Sequence, residues 1–234
     1  MTQMIPCSKT FPPLALKYQV GKMKIRLHPW DVVDSEKLQD VIQKNRAALC
    51  RFMPWIHYPM NFENLIAWTA KARFDYFSGV GFSFAICDEI TSEIIGSIAL
   101  HPLGNLRNPC GMEIGYWMDA DYRNKGIITA TTRAIVALGF TCFGCDRIQI
   151  SCNKENAASR RVIEKCGFHF EGEIRNMFPQ ATEKMLECGF VEERRELLYA
   201  LIPEDIEKLD WYASIVASIE VETLFGRCVP LKSY

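Results

Sequence analysis

The sequence predicts an α/β protein of the α+β kind, with strands and helices around one core. Three observations predict it. Short runs with the two-residue alternation of strands are interleaved with stretches whose apolar residues repeat at helical spacing. The 234 residues are 49% hydrophobic, enough for one sizeable core. No internal repeat, low-complexity linker or apolar run of about 20 residues divides the chain or would cross a bilayer.

Residues 1–21 contain Pro6, Pro12 and Pro13 without a clear period, and are expected to form an irregular N-terminal arm. The arm lacks the basic start and apolar core of a secretory leader. Residues 23–27 alternate as a half-buried strand, ended by His28-Pro29. A helix begins near Asp34, its expected N-cap, with Leu38, Val41, Ile42 and Ala48 on one face. Pro54 breaks it, because the residue before a proline avoids helical geometry. Asn61 caps a second helix carrying Leu65, Ile66, Thr69, Ala72 and Tyr76, closed by Gly79 and Gly81. Residues 82–87 and 94–100 are two strands, and Gly96 in the second marks a bulge or a close backbone approach. A Gly/Asn/Pro loop over 104–109 leads into a strand at 112–118.

Next comes the most informative stretch, Tyr122-Arg123-Asn124-Lys125-Gly126-Ile127-Ile128-Thr129. It opens onto a helix over 127–142 whose apolar stripe is 127, 130, 131, 134, 135, 138 and 142. A strand at 147–151 and a short helix at 156–166 follow, with Gly167 as the left-handed terminator and Phe168 starting another strand. Residues 197–201 read as the final buried strand. The main domain is therefore expected over 22–202, with a helical C-terminal extension at 203–234. In that extension Ile206, Leu209, Ala213, Val216 and Thr223 follow an approximate heptad, as in a lid, a dimer-forming helix or a packed terminal helix.

A net charge of −1 provides no global field toward nucleic acid or anionic membrane, so any basic site is local. The ten cysteines mostly sit in apolar periodic segments and are expected to be reduced thiols of a cytoplasmic protein. Cys142-x-x-Cys145 falls at a helix C-terminus, where the dipole disfavours thiolate, and no second pair stands at zinc-finger spacing; neither metal nor redox chemistry is expected there. His28, His57, His101 and His169 show no triad or metal spacing and are expected to be structural.

Backbone N–H groups and basic side chains at a helix N-terminus form a phosphate cradle, and residues 122–129 supply both. Arg123 and Lys125 bring charge, and Asn124 tolerates a left-handed turn better than most residues.

In this order the elements resemble the GNAT superfamily of acyl-CoA N-acyltransferases, and within it the RimJ/RimL-type branch. The resemblance is carried by Asn45-Arg46 with Met53-Pro54-Trp55, by Ile95-Gly96-Ser97-Ile98, and by Glu113-Ile114-Gly115-Tyr116-Trp117. It continues in the 122–129 loop, in Asn153, Asn156 and Ser159, and in Lys165-Cys166-Gly167-Phe168 with Glu171-Gly172. It covers about residues 23–201. It implies one domain built on a mixed, mostly antiparallel central sheet flanked by helices. It also implies acetyl-CoA as cosubstrate and direct attack by a primary amine, with a protein N-terminus as the leading acceptor. A polyamine, amino sugar or amino acid acceptor, and a non-catalytic acyl-CoA sensor, are the alternatives. No metal, nucleic acid or membrane partner is implied, and the chain would be a monomer or homodimer.

By the same resemblance Arg123, Asn124, Lys125, Gly126, Ile127, Ile128 and Thr129 hold the pyrophosphate of coenzyme A. Pantetheine lies between the 112–118 and 147–151 strands, beside Trp117 and Met118, with the Met118 N–H facing the thioester oxygen. Asn153 and Asn156 bind pantetheine or cap the helix. Ser159 donates to the departing thiolate, or bonds back to its own turn. Glu113 is a general base through water, or a solvated carboxylate at a strand end. Trp55 and Tyr58 line the acceptor mouth with Glu113, or belong to the core. The chain departs from the family pattern at Ile128, where a small residue is usual, and in 176–196, which is long and lacks an Asp before the last strand.

Overall fold

The computed structural model describes residues 12–104, 110–178 and 180–234. Its strands are β1 (Ala15–Val20), β2 (Met23–Pro29), β3 (Phe82–Asp88), β4 (Ile94–Pro102), β5 (Gly111–Met118), β6 (Arg147–Asn153), β7 (His169–Ile174), β8 (Glu196–Leu201), β9 (Glu220–Glu222) and β10 (Cys228–Pro230). The helices are α1 (Ser35–Cys50), α2 (Phe62–Phe77), α3 (Ile127–Thr141), α4 (Ala157–Lys165), α5 (Glu183–Glu187), α6 (Pro203–Ile206) and α7 (Tyr212–Ser218). All ten strands join one sheet in the order β10-β9-β1-β2-β3-β4-β5-β6-β8-β7. Every neighbouring pair is antiparallel except β5–β6, which needs the α3 crossover to run parallel.

The sheet is covered on both faces. One face carries α1 and α2, whose Leu38, Val41, Ile42 and Leu65 pack with Trp30, Ile56 and Ala85. The other carries α3 and α4, with Ile127, Ala134, Ile135, Leu138 and Ile163 against Ile98, Met112, Ile114 and Ile150. Within α3, Val136, Ala137 and Gly139 are buried as well, so the helix hides more than the expected stripe. The reason is α7, whose Ile215 and Val216 pack from the outside.

Two expectations are corrected. Residues 15–20 are not irregular: Leu16, Tyr18 and Val20 alternate with Lys17 and Gln19, and Gly21 at φ 57° turns β1 into β2. A two-residue turn between alternating runs was the missed signal. The extension is not wholly helical, and residues 197–201 are not the last strand. After α7 the chain returns as β9, pairing Val221 with Leu16. Ile219, Val221 and Leu231 are buried there, closing an edge that β1 would otherwise expose. The first eleven residues of the expected arm, and most of the loop at 104–109, lie outside the described residues.

Among the described residues eight cysteines are free, Cys142 and Cys145 among them, and burial pushes the thiols of that pair up to about 12. Cys110, buried at the start of β5, is disulfide-bonded, which corrects the expectation of uniformly reduced thiols; folding rather than sequence spacing decides which sulfurs meet. Among the described residues no helix is long and apolar enough to cross a membrane.

Gly96 fulfils both readings of its position. Ile86 pairs with Gly96 and Cys87 with Ile94, so Ile95 is the extra residue of a bulge in β4. A Cβ on Gly96 would stand 2.5 Å from the Trp117 carbonyl oxygen. Gly96→Ala should therefore cost about 1–3 kcal/mol of unfolding free energy, as overpacking does. Gly172→Ala, where nothing lies within 4 Å, should cost much less. Urea unfolding of the two variants checks the contrast; equal losses would contradict the close approach.

Candidate functional site

The site is organised by the end of β5. Asp119 N–H donates to the Ile95 carbonyl (2.8 Å), and Leu103 N–H to that of Gly111 (3.1 Å). In an antiparallel ladder these bonds make Gly96–Met118 and Pro102–Met112 the non-hydrogen-bonded pairs. The backbone groups of residues 112, 114, 116 and 118 therefore face away from β4, toward β6. Pairing with β6 runs only from Gly111–Arg147 to Ile114–Ile150, although β5 continues to Met118 and β6 to Asn153. Beyond Ile114 the parallel strands part, and the N–H groups of Tyr116 and Met118 are directed into the gap.

The chain leaves β5 through a turn fixed by α1. Asn45, buried in α1, accepts the Ala120 N–H on Oδ1 (2.8 Å) and donates from Nδ2 to the Val41 carbonyl (2.9 Å). Lys44 Nζ lies 2.8 Å from Asp119 and 2.7 Å from Asp121. Burial alone would raise the Asp119 carboxyl, but the bonds from Lys44 and the Asp121 N–H outweigh it and hold the group below its usual range.

The turn then enters α3. Asn124 (φ 60°) and Gly126 (φ 76°) are both left-handed, and α3 begins without a side-chain cap at its N-terminus. The first N–H groups of a helix that lacks such a cap are free to bind an anion. Arg123, Asn124, Lys125 and Gly126 are exposed, while Ile127 is buried and anchors the helix. Lys125 Nζ stands 4.7 Å from the centre of the Tyr122 ring. Ile128 and Thr129 are half-buried, and the Thr129 carbonyl accepts from Cys166 Sγ.

On the α3/α4 face, Ser159 Oγ lies 2.9 Å from Tyr116 Oη. This is the partner the Ser159 hydroxyl takes, rather than its own helical turn. Burial raises the Tyr116 phenol, with the Ser159 bond opposing. Asn156 Oδ1 accepts the Ser159 N–H (3.1 Å) and caps α4 as expected. Asn153 spends its amide on the chain, donating to the Glu193 carbonyl (2.6 Å) and accepting from the Glu155 N–H (2.9 Å).

On the α1/α2 face, strand alternation lines up Glu113, Gly115 and Trp117 with Ser151 of β6 and Glu196 of β8. Ser151 Oγ donates to Glu113 Oε1 at 2.9 Å and lies within hydrogen-bond reach of Glu196. Glu196 is buried; that burial raises its carboxyl, the Ser151 bond lowers it, and the Glu113 charge raises it further, for a net upward shift. His101 pairs with Glu113 across β4–β5, and burial lowers its pKa against the pull of Glu113 and Asp75.

A cavity of about 530 Å³ opens on the same face. Trp55, Met53, Trp68, His101, Gly115 and Trp117 are among its walls, with the Trp55 and Trp117 rings 6.3 Å apart. Tyr58 is 68% exposed and does not line it. The predicted residues thus fall in three groups around the gap: the 123–129 turn at its mouth, Ser159 on one face, and Glu113 with Trp55 and Trp117 on the other. Tyr116, Ser151 and Glu196 were missed in the sequence. An in-phase Glu opening the apolar β8 was the only cue for Glu196.

The GNAT acetyltransferase domain model matches residues 24–169. The putative ribosomal N-acetyltransferase YdaF of Bacillus subtilis is 27% identical over 146 residues, 61% of this chain and 76% of that protein. The ribosomal-protein-serine acetyltransferase of Escherichia coli is 27% identical over 135 residues, 58% of this chain and 73% of that one. Mycobacterium smegmatis RimJ, solved in complex with CoA-disulfide, superposes with a TM-score of 0.70 at 20% identity, covering 88% of this chain and 96% of its own. The parted parallel strands, the uncapped α3 and these matches agree: the chain belongs to the GNAT acetyltransferase family.

Proposed function

We propose that this acetyltransferase moves an acetyl group from acetyl-CoA to the α-amine of a protein N-terminus by direct attack. The observation that carries the proposal is the gap after Ile114, with donors on one side and carboxylates on the other. The N–H groups and cations of residues 123–129 hold the pyrophosphate, and pantetheine runs into the gap as a further strand-like partner of β5. The Met118 N–H donates to the thioester oxygen and more strongly to the oxyanion it becomes.

The acceptor amine enters from the cavity beside Trp55 and Trp117. Its nitrogen attacks the thioester carbon, and the proton it sheds passes through water to the Glu113–Ser151–Glu196 group. As the tetrahedral adduct collapses, the carbon–sulfur bond breaks and the thiolate takes its proton through the Ser159 hydroxyl, which Tyr116 orients and which regains a proton from solvent in the same relay. An α-amino group, with a pKa of about 7.7–8.0, needs only a modest base. The names of the ribosomal-protein relatives favour a protein N-terminus as acceptor. Among the described residues eight thiols are free against the one disulfide-bonded Cys110, a balance that favours a reducing, cytoplasmic setting.

Gly126→Glu tests the cradle. The position is exposed with open space beside it, so the fold should survive while a carboxylate meets the helix N-terminus. CoA affinity by calorimetry should fall at least about tenfold, because the added carboxylate competes for the helix N-terminus and repels the pyrophosphate. An unchanged Kd would remove the pyrophosphate from this turn.

Ser159→Ala should lower kcat on an N-terminal peptide by about 100-fold, the usual scale of a lost general acid, with little change in CoA affinity. Full turnover in that variant would end the proposed role. No turnover by the wild-type chain on any peptide or small amine, despite CoA binding, would favour a sensor.

The Glu113–Glu196 pairing predicts a titration. In Glu113→Gln the neighbouring negative charge is gone, so the Glu196 pKa, read by carboxyl NMR, should move down toward the usual range. Because its folded pKa lies above the unfolded one, Glu196 favours the fold fully below the unfolded carboxylate pKa of about 4.3, and that contribution is lost as pH rises. A Glu196 resonance that does not move would mean the two carboxylates are not coupled.

A further inference from the structure

The geometry points to a zinc site made by Cys50, His57 and Cys188, which fastens the 182–191 segment to the corner after α1. The three residues come from separate stretches: the last position of α1, the turn that follows it, and the C-terminal end of α5. One ligand atom from each lies within 4.8 Å of the others. A tetrahedral zinc holds sulfur at about 2.3 Å and nitrogen at about 2.0–2.1 Å, so its ligand atoms stand roughly 3.6–3.8 Å apart. A contraction of at most about 1.2 Å would seat the ion.

The surroundings suit ligands more than chance neighbours. Cys50 and Cys188 are already in side-chain hydrogen-bond contact. The His57 ring is held twice, with Nε2 3.2 Å from the Cys50 carbonyl and its plane edge-on to Phe190 at 5.4 Å. A ring nitrogen bonded to a backbone carbonyl is how proteins fix the tautomer of a metal-bound imidazole. Cys188 is presented by a short helix capped at Thr182 and ended by Gly189 at φ 84°. Just beyond, the Val191 N–H donates to the Arg51 carbonyl (3.1 Å), so the backbone already docks where the ligands meet.

Two sulfurs and one imidazole are a soft set that selects zinc over magnesium or calcium. Binding converts both thiols to thiolates and releases two protons, leaving the complex neutral and the fourth position to water. The clamp would rigidify the corner that carries Met53 and Trp55.

The test uses the full chain, reduced and stripped with a chelator, then titrated with Zn²⁺ under reductant against a chromogenic competitor. One equivalent should bind, and Co²⁺ in its place should give a near-ultraviolet thiolate charge-transfer band. Cys188→Ser, at an exposed position, and His57→Ala should each weaken binding at least about tenfold. Cys228→Ser, also exposed but distant in the fold, should leave it unchanged. Zinc should slow proteolysis within 176–196 in the wild type and not in Cys188→Ser. No stoichiometric binding, or binding that survives Cys188→Ser, would overturn the site. So would a chain that takes up no zinc but forms a Cys50–Cys188 disulfide on mild oxidation.

Discussion

The parting of β5 from β6 after Ile114 is the constraint on which the rest depends. It has identifiable causes on both sides. The end of β5 is held toward β4, where Gly96 lets the backbone come within a Cβ radius of Trp117 and Met118 and where the bulge at Ile95 adds twist. It is then held toward α1 by the Asn45 bond to Ala120 and the Lys44 bridges to Asp119 and Asp121. β6 is held the other way, because its pairing with β8 runs the whole distance from Ile148–Leu201 to Asn153–Glu196. Two strands anchored to different neighbours separate where their shared ladder ends.

Such a gap opens to both faces of the sheet, and the two faces are unlike. Toward α3 and α4 the polar groups are hydroxyls, Tyr116 with Ser159, suited to giving a proton. Toward α1 and α2 they are carboxylates around Ser151, suited to taking one, beside an aromatic cavity. The strand period of two creates this division, since residues 113 and 116 of one strand must point to opposite faces. A donor and an acceptor can therefore approach one thioester from opposite sides without competing for space.

How much of this was legible follows from the range of each interaction. Local devices could be read directly: Asn61 and Asn156 as caps, Asn124 as a position suited to a left-handed turn, Gly167 as a left-handed terminator, the apolar stripe of α3. The residues proposed for the cradle could be named together because they are consecutive. Ser159 and Glu113 were recognisable as chemical groups, but their partners lie 43 and 38 residues away and depend on strand register. Glu196 joins the cluster only because β8 pairs with β6 in a phase that puts it beside Ser151. β1 was legible in principle, since its alternation and glycine turn were present, but three prolines upstream masked it.

The acceptor side resists reading for a further reason. The donor side is built by the sheet and α3, whose geometry follows from backbone bonding common to any such fold. The 176–196 segment, by contrast, is tied down piecemeal. Arg194 Nε donates to the Phe178 carbonyl, Glu193 gives its carbonyl to Asn153, and Val191 donates to Arg51. The first tie folds the segment on itself and the other two join it to β6 and to the corner after α1, so its course depends on all of them at once, and none leaves a periodic trace. Among the described residues this segment also brings Cys188 to Cys50 and His57. On the proposed function, substrate choice would depend on contacts that only the folded molecule assembles, whereas the residues proposed to hold the pyrophosphate are eight consecutive ones from Tyr122 to Thr129.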